Sequence, residues 1–148
     1  MGSNSMNDKF PSPVNLKFSA IKIGSQYCFN RIFSYDDILS FAKLTGDFNP
    51  LHVNPKYRSS FFKQNIVHGM LVGSLFGALV GMYCPGKNCL CLSQEIKFIK
   101  PIYPNQKIII SGTVTNKIAA LKILFIKTEV STDGKVAISG QAKVKVLE

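Results

Sequence analysis

The sequence contains no tryptophan, and acidic residues and arginine are scarce. Eight aspartate and glutamate residues stand against 18 lysine and arginine residues, which gives a formal net charge of +10. Only Arg31 and Arg58 are arginines. Arginine makes most bidentate contacts to bases, and no stretch interleaves aromatic and basic residues, so we do not expect a nucleic-acid-binding protein. The positive charge suits a polyanionic small molecule or an acidic carrier protein, and it is equally compatible with a lysine-rich surface of no special role.

The chain also lacks a long hydrophobic segment and a secretory signal. No apolar run approaches the roughly 18 residues needed to cross a bilayer, and the first residues do not have the pattern of a signal peptide. We therefore expect an intracellular protein without a membrane span, in the cytoplasm or the mitochondrial matrix. Charged residues make up only 18% of the chain, which favours a surface partly covered by another subunit.

The cysteines do not indicate a metal site. Cys84, Cys89 and Cys91 form a C-x4-C-x-C group, which is not a zinc-binding spacing and has no histidine close by in sequence. Without a secretory signal, these residues and Cys28 are predicted to be reduced thiols in the core. We expect neither a metal nor another cofactor.

The first half of the chain predicts a strand region and two helices. Residues 18–33 have a strand-like pattern that is interrupted by a Gly-Ser turn. Ser34 is a suitable N-cap for a helix that Gly46 ends. Residues 47–55 contain two prolines and are predicted not to be helical. A second short helix is predicted over residues 56–63.

The most apolar segment runs from Gly69 to Cys84 and carries a glycine at every fourth position. This pattern predicts a buried helix that is apolar on all sides and lets neighbouring backbone approach closely. Alternating strands follow, with a strong hairpin signal at Asp133-Gly134. The fold class is therefore α+β, an antiparallel sheet packed on a helix. Residues 1–7 are interpreted as a tag remnant or disordered terminus, and residues 8–148 as one domain.

Asp47 and His52 are the strongest candidates for chemistry. A carboxylate and an imidazole that converge on one water molecule form a general acid/base pair, which can add water to an activated double bond or remove it. The alternative is structural: Asp47 and Asn49 make Asx turns before Pro50, and His52 is an ordinary loop residue.

A second candidate site lies where the apolar helix begins. The amides of Gly69 and Met70 have no partner within the helix and can donate to a carbonyl oxygen that develops negative charge. The alternative, that water or a side chain caps these amides, stays open. His68 is predicted to have a structural role near this N-cap.

Two sequence blocks carry a family resemblance. Residues 45–52 read T-G-D-F-N-P-L-H, and residues 66–70 read I-V-H-G-M. Together they closely resemble the signature of the MaoC-like (R)-specific enoyl-CoA hydratases and (3R)-hydroxyacyl-thioester dehydratases, and the similarity extends over roughly residues 20–147. The resemblance implies a hot-dog fold, in which a curved antiparallel sheet wraps around a long central helix. It also implies a homodimer with the two sheets joined edge to edge.

The resemblance further implies a hydro-lyase that interconverts trans-2-enoyl and (3R)-hydroxyacyl thioesters of coenzyme A or acyl carrier protein, in fatty-acid metabolism. Asp47 and His52 would be the catalytic residues that activate one water, and the Gly69 amide would bind the thioester carbonyl. Asn49 and His68 would be supporting residues. The candidates for the acyl pocket are Phe48, Leu51, Val67 and Met70.

One position departs from the family pattern, and two other functions stay open. Gly77 stands where characterised bacterial members often have a serine near the site, and Ser74 lies three residues earlier. A hot-dog thioesterase is the first alternative, although residues 69–84 contain no aspartate or glutamate to serve it. The second is a non-catalytic acyl-thioester-binding module, which the presence of both Asp47 and His52 argues against.

Overall fold

A computed structural model describes residues 10–57 and 61–148. Five strands form a single sheet in the order β1-β3-β4-β5-β2, and every neighbouring pair is antiparallel. The strands are β1 (Gln26–Ile32), β2 (Cys89–Phe98), β3 (Lys107–Ile118), β4 (Ile123–Thr132) and β5 (Lys135–Val146). The helices are α1 (Tyr35–Thr45), α2 (Pro50–Val53), α3 (Gly69–Gly73) and α4 (Leu75–Ala78), followed by a π-helical turn over Leu79–Tyr83. Short 3₁₀ turns occupy Phe18–Ala20 and Ala119–Leu121.

The sheet buries one face against the central helical segment. Ile108, Ile110 and Val114 alternate along β3 and are all 0% exposed, as their period of two predicts. They pack in two apolar clusters with residues of the helical segment, among them Phe76, Leu79 and Val80. The α+β sheet-and-helix architecture predicted from the sequence is confirmed.

Local sequence signals fix the hairpin between β4 and β5. Asp133 and Gly134 both have positive φ, 51° and 71°, which a two-residue hairpin of the I′ type requires. Asp-Gly tolerates this conformation, so the predicted turn is confirmed.

Helix α1 begins and ends where its capping residues predict. The Ser34 hydroxyl accepts from the Asp37 amide, and the Asp37 carboxylate accepts in return from the Ser34 amide, so the two residues form a capping box. Gly46 follows the helix with a φ of 81°, in the left-handed region where glycine avoids steric strain. The chain therefore leaves α1 directly into the segment that carries Asp47.

The central helical segment differs from one continuous buried helix. Its backbone is right-handed from α3 through Ser74 into α4, and then widens into the π-helical turn. A Cβ atom on Gly69 or Gly73 would lie within 3 Å of the side chains of Phe98 or Ile96, which explains why β2 can approach closely there. Gly77 has no such neighbour within 4 Å, nor does the fourth glycine of the series.

The prediction that this helix is buried on all sides is wrong for one face. Met70 is 60% exposed, and Ser74 and Gly77 are exposed as well. In a single chain the sheet covers only the opposite face. The glycines that recur every four residues therefore have different surroundings: Gly69 and Gly73 lie against β2, whereas Gly77 lies on an exposed surface.

Three further sequence predictions need correction. In place of a strand region over residues 18–33, a 3₁₀ turn precedes the shorter β1. Residues 47–55 contain the one-turn helix α2, because Pro50 at the first helical position needs no amide donor there. Residues 56–57 and 61–63 are not helical, and residues 58–60 of that predicted helix lie outside the described part of the chain.

The cysteines are free, as predicted, but they are not all in the core. Cys84 is buried and Cys89 is half-buried, whereas Cys28 and Cys91 are exposed on strands at the two edges of the sheet. The described residues include no helix that is both long and apolar enough to span a membrane.

Candidate active site

A cavity of about 420 Å³ opens beside the start of the central helical segment. Its walls come from the segment after α1, from α2, from the chain around α3, and from the end of β2 with the loop that follows. The lining residues are Asp47, His52, Phe62, Ile66, Val67, His68, Gly69, Met70, Val72, Phe98, Ile99, Lys100, Pro101, Ile102 and Ile138. Most of these side chains are apolar, so a carboxylate and two imidazoles face a mainly hydrophobic space.

Asp47 lies in a short exposed segment that hydrogen bonds hold in shape. The Asp47 amide donates to the Thr45 hydroxyl at 3.3 Å, and the Asn49 amide donates to Asp47 Oδ1 at 3.2 Å. The Asp47 side chain remains 51% exposed. This carboxylate is therefore oriented by its sequence neighbours and still accessible to a water or a substrate.

His52 is positioned by the single turn of α2. The Asn49 side chain caps this turn by accepting from the Leu51 amide at 3.0 Å. His52 Nδ1 lies 2.8 Å from the carbonyl oxygen of Ile66. Because a carbonyl can only accept, we assign the proton of the neutral ring to Nδ1. The Nε2 atom of His52 is then the nitrogen that carries a lone pair.

Asn65, in the irregular segment before α3, anchors α2 and was not predicted from the sequence. Its Nδ2 atom lies 3.0–3.1 Å from the carbonyl oxygens of Pro50, Leu51 and Asn54. The residue is 7% exposed, so its side chain joins three backbone carbonyls of the α2 region from a buried position. A lone asparagine carries no sequence pattern that predicts such a role.

Asp47, His52 and His68 converge. Each contributes one nitrogen or carboxylate oxygen, and these three atoms lie within 4.8 Å of one another. The rings of His52 and His68 are stacked with centroids 4.0 Å apart and planes at 26°. The sequence prediction that a carboxylate and an imidazole share one point is consistent with this geometry, and the spacing is suitable for one bridging water.

The same three residues have the chemistry of metal ligands, and within residues 10–57 and 61–148 they are the one group of its kind. His68 Nε2 lies 3.1 Å from the backbone oxygen of Asp47. This nitrogen therefore donates a proton and does not present a lone pair to an ion. The hydrogen bonding fits a water site better than a metal site.

The start of α3 lies against the same cavity. Gly69 and Met70 line it, and the first intrahelical bond of α3 runs from the Val72 amide to the His68 carbonyl. The amides of Gly69 and Met70 precede that bond and have no acceptor within the helix. A substrate carbonyl at this end of the cavity could accept from them.

The predicted acyl-pocket residues separate into two groups. Val67 and Met70 line the cavity, whereas Phe48 and Leu51 are not among the lining residues. Phe48 is 57% exposed. The end of β2 and residues 99–102 form a wall of the cavity that was not predicted from the sequence. These residues are far from α3 in sequence, and only the tertiary fold brings them to it.

Neither Gly77 nor Ser74 lines this cavity. The Ser74 hydroxyl donates to the Leu71 carbonyl at 2.6 Å, so it is engaged within the helical segment. It does not replace a serine at the position of Gly77.

Comparison with known proteins agrees with this fold. The family model for the MaoC like domain matches residues 17–136. The chain belongs to the MaoC-like family. The (R)-specific enoyl-CoA hydratase of Aeromonas caviae is 33% identical over 129 residues, which cover 86% of this chain and 96% of that protein. The mitochondrial 3-hydroxyacyl-[acyl-carrier-protein] dehydratase FERN of Solanum lycopersicum is 34% identical over 126 residues, which cover 82% of this chain and 75% of that protein.

Solved structures give the same result. The structure of the (R)-hydratase from A. caviae involved in PHA biosynthesis superposes with a TM-score of 0.82 at 32% identity, and the match covers 86% of this chain and 98% of that one. The MaoC-like fold of this chain is therefore the hot-dog fold that the motif resemblance implies.

Proposed function

We propose that this chain catalyses the reversible syn hydration of a trans-2-enoyl thioester to the (3R)-hydroxyacyl thioester. The observation that carries the proposal is the convergence of Asp47 and His52 on one point of an apolar cavity beside the first amides of α3. The comparisons support it, because the relatives bear the names of (R)-specific hydratases and 3-hydroxyacyl dehydratases. They do not favour a thioesterase or a non-catalytic binding module.

The Asp47–His52 pair supplies the acid/base chemistry of this reaction. The Asp47 carboxylate and the bare Nε2 of His52 both accept hydrogen bonds, so a water between them keeps an oxygen lone pair for attack. As the new O–C3 bond forms, one O–H bond of the water breaks and its proton passes to the pair. The electrons of the C2=C3 double bond move towards the thioester carbonyl, and C2 then takes a proton from the pair. The sum is one water added across the double bond.

The other predicted residues bind and position the reacting groups. The Gly69 amide donates to the thioester oxygen, which gains negative charge as C3 is attacked. Asn49 supports the pair in two ways. Its backbone amide donates to the Asp47 carboxylate, and its side chain caps α2, the helix that carries His52. Val67 and Met70 contribute to the acyl-binding wall.

Turnover of crotonyl-CoA tests the proposed function. We expect the conjugated absorbance of the substrate to fall when enzyme is added, and chiral analysis to identify the (3R) product. Release of free thiol without hydration would indicate a thioesterase. Saturable binding without any turnover would indicate a binding module, and either result would contradict the proposal.

The natural thioester is carried either by coenzyme A or by an acyl carrier protein, and both present a phosphorylated pantetheine arm. Lys100 is a cation of the cavity wall, and it suits a phosphate in either case. A chain-length series offered both as enoyl-CoA and as enoyl carrier protein compares the two. The carrier with the higher kcat/KM at each chain length identifies the physiological handle.

We further propose that the chain forms a homodimer through strand β2. Among residues 10–57 and 61–148, this ten-residue strand pairs only with β5, so none of them covers its other edge. Leu90, Leu92 and Phe98 are 53%, 44% and 55% exposed along it, and an apolar open edge is a template for pairing with a second strand. Light scattering should give twice 16.3 kDa, and Leu92→Lys should shift the population towards monomer. A monomeric wild-type protein would contradict this proposal without affecting the assignment of the chemistry.

A further inference from the structure

His68 occupies the position of an N-cap, but its side chain caps nothing. It directly precedes α3 and makes no side-chain hydrogen bond to the helix. The residue is only 2% exposed. Its Nδ1 atom is buried without a hydrogen-bond partner among the described residues. A polar ring held in the core at this cost needs a reason beyond helix capping, because an unpaired buried polar atom is destabilising.

The contacts of the ring supply that reason. His68 Nε2 donates to the backbone oxygen of Asp47 at 3.1 Å and lies 3.9 Å from Asp47 Oδ2. The ring also stacks on His52, with centroids 4.0 Å apart. Phe41 holds it from α1 with an edge-to-face contact at 5.0 Å. One buried side chain therefore contacts both members of the catalytic pair.

The Asp47 segment depends on this contact. Among residues 10–57 and 61–148, the other hydrogen bonds of Asp47 run to Thr45 and Asn49, which are its near neighbours in sequence. Gly46, immediately before it, has a φ of 81° and ends α1, so the helix does not continue into the Asp47 segment. The bond from His68 is thus the long-range tie that fixes Asp47 relative to His52.

The two hydrogen bonds to carbonyl oxygens also determine the tautomers. His68 donates from Nε2 to Asp47, whereas His52 donates from Nδ1 to Ile66. Since carbonyls only accept, the neutral rings are opposite tautomers. His68 presents a nitrogen to Asp47 that already holds a proton, so it does not take a proton from the water. Its role in the reaction is geometric.

We propose that His68 is a positioning residue that sets the geometry of the Asp47–His52 pair, as the Nε2–H tautomer stacked beneath His52. The inference rests on the proposed hydratase function and identifies the side chain that holds Asp47 and His52 in position relative to each other. A misplacement of a catalytic group by about 1 Å can lower the rate by about 100-fold. Replacement of His68 should therefore reduce kcat strongly and leave KM nearly unchanged.

Three variants separate the two contacts of the ring. In His68→Gln, the amide nitrogen stands near the position of Nε2 and can still donate to the Asp47 carbonyl. In His68→Asn, the side chain is too short for its amide nitrogen to reach the Asp47 carbonyl oxygen. His68→Phe keeps an aromatic ring that can stack on His52 but has no hydrogen-bond donor. We expect kcat with crotonyl-CoA to fall by about 10- to 100-fold in the Asn and Phe variants, with KM within about twofold, and to recover largely in His68→Gln.

A control variant distinguishes positioning from a general loss of stability. Thr128 is 0% exposed and accepts a hydrogen bond from the Gln94 side chain at 3.0 Å, and neither residue lines the cavity. Thr128→Val should lower the melting temperature while kcat stays at the wild-type value. If His68→Phe, folded by circular dichroism, retains wild-type kcat, or if His68→Gln is as slow as His68→Phe, the inference is wrong. An inactive wild-type protein would instead refute the proposed function.

The tautomers provide a measurement on the wild-type chain, so the inference stays testable if a variant does not fold. The sequence contains only two histidines, and His68→Gln or His52→Ala assigns their signals. In alkaline buffer, ¹⁵N NMR of the imidazoles should show a protonated Nε2 in His68 and a protonated Nδ1 in His52. A protonated Nδ1 in His68 would overturn the inference, because that ring could not donate to Asp47.

Discussion

The sheet core and the segment that carries the catalytic pair are held together by different forces. Ile110 on β3 faces Val130 on β4, and both are fully buried in one apolar cluster. Asp47, by contrast, is exposed and is positioned by individual hydrogen bonds, one of them from His68. In the core many apolar contacts share the stabilisation, so each can vary a little. At the site, single polar contacts determine the geometry, so the loss of one is not shared among many others.

The largest expected effect is on the rate and not on the stability. Asp47→Asn and His52→Ala each remove one proton-transfer group, and such groups typically contribute about 10²- to 10⁴-fold. The loss of kcat should fall in that range with crotonyl-CoA. The exposed Asp36 on α1 offers a matched control, and Asp36→Asn should keep wild-type kcat. Unchanged rates in both site variants would refute the assignment of the pair.

The opposite outcome is expected in the core. Ile110→Ala removes a fully buried side chain from β3 and should lower the free energy of unfolding by about 2–5 kcal/mol. Urea titration measures this loss. The kcat of the molecules that remain folded should be unchanged, because the site is positioned by other contacts. A large fall in kcat at full folding would show that the two regions are coupled more tightly than this comparison implies.

Asn65→Ala should lower both kcat and the free energy of unfolding, so its effect is intermediate between those of the site and core variants. Without the Asn65 amide, the carbonyls of Pro50, Leu51 and Asn54 lose a buried donor. Each of these carbonyls keeps a backbone amide donor, so the cost is that of the lost hydrogen bonds, typically about 0.5–1.5 kcal/mol each. Helix α2 also loses the anchor that holds His52. We expect a moderate loss of stability by urea titration together with a lower kcat. Wild-type kcat in a destabilised variant would limit Asn65 to a purely structural role.

The smallest expected effect is a pH dependence of stability from a core thiol. Burial raises the pKa of Cys84 from 9.0 to about 11 in the folded chain. Since folding disfavours the thiolate, this stabilisation is fully present below about pH 9 and is lost as the pH rises through 11. The free energy of unfolding should therefore fall more steeply over this range in the wild type than in Cys84→Ala. Parallel pH curves for the two proteins would contradict the prediction.

The sequence predicted those elements whose signals are local. Ser34, Gly46 and the Asp133-Gly134 turn determine backbone conformation through their own side chains or their own φ values, so their positions could be predicted without the fold. The alternation of Ile108, Ile110 and Val114 likewise predicted the buried face of β3. Helix α2 departs from the sequence prediction because two prolines in a short segment generally disfavour a helix, whereas proline is favourable at the first helical position.

The contacts that complete the site could not be predicted in this way. Asn65 and His68 act on residues more than ten positions away, and neither belongs to a periodic pattern. The exposed face of the central helical segment is a similar case, because a run of apolar residues does not show which side the sheet covers.

The residue types and spacing of the Asp47–His52 block, with the downstream His-Gly-Met, were sufficient to identify the family and its chemistry. The sequence also determined the strands, whose burial follows from a period of two. The tertiary structure alone decided which tautomer each imidazole holds and which distant side chains fix the catalytic loop. These depend on hydrogen-bond partners that approach only when β2, α2 and the start of α3 pack around one cavity.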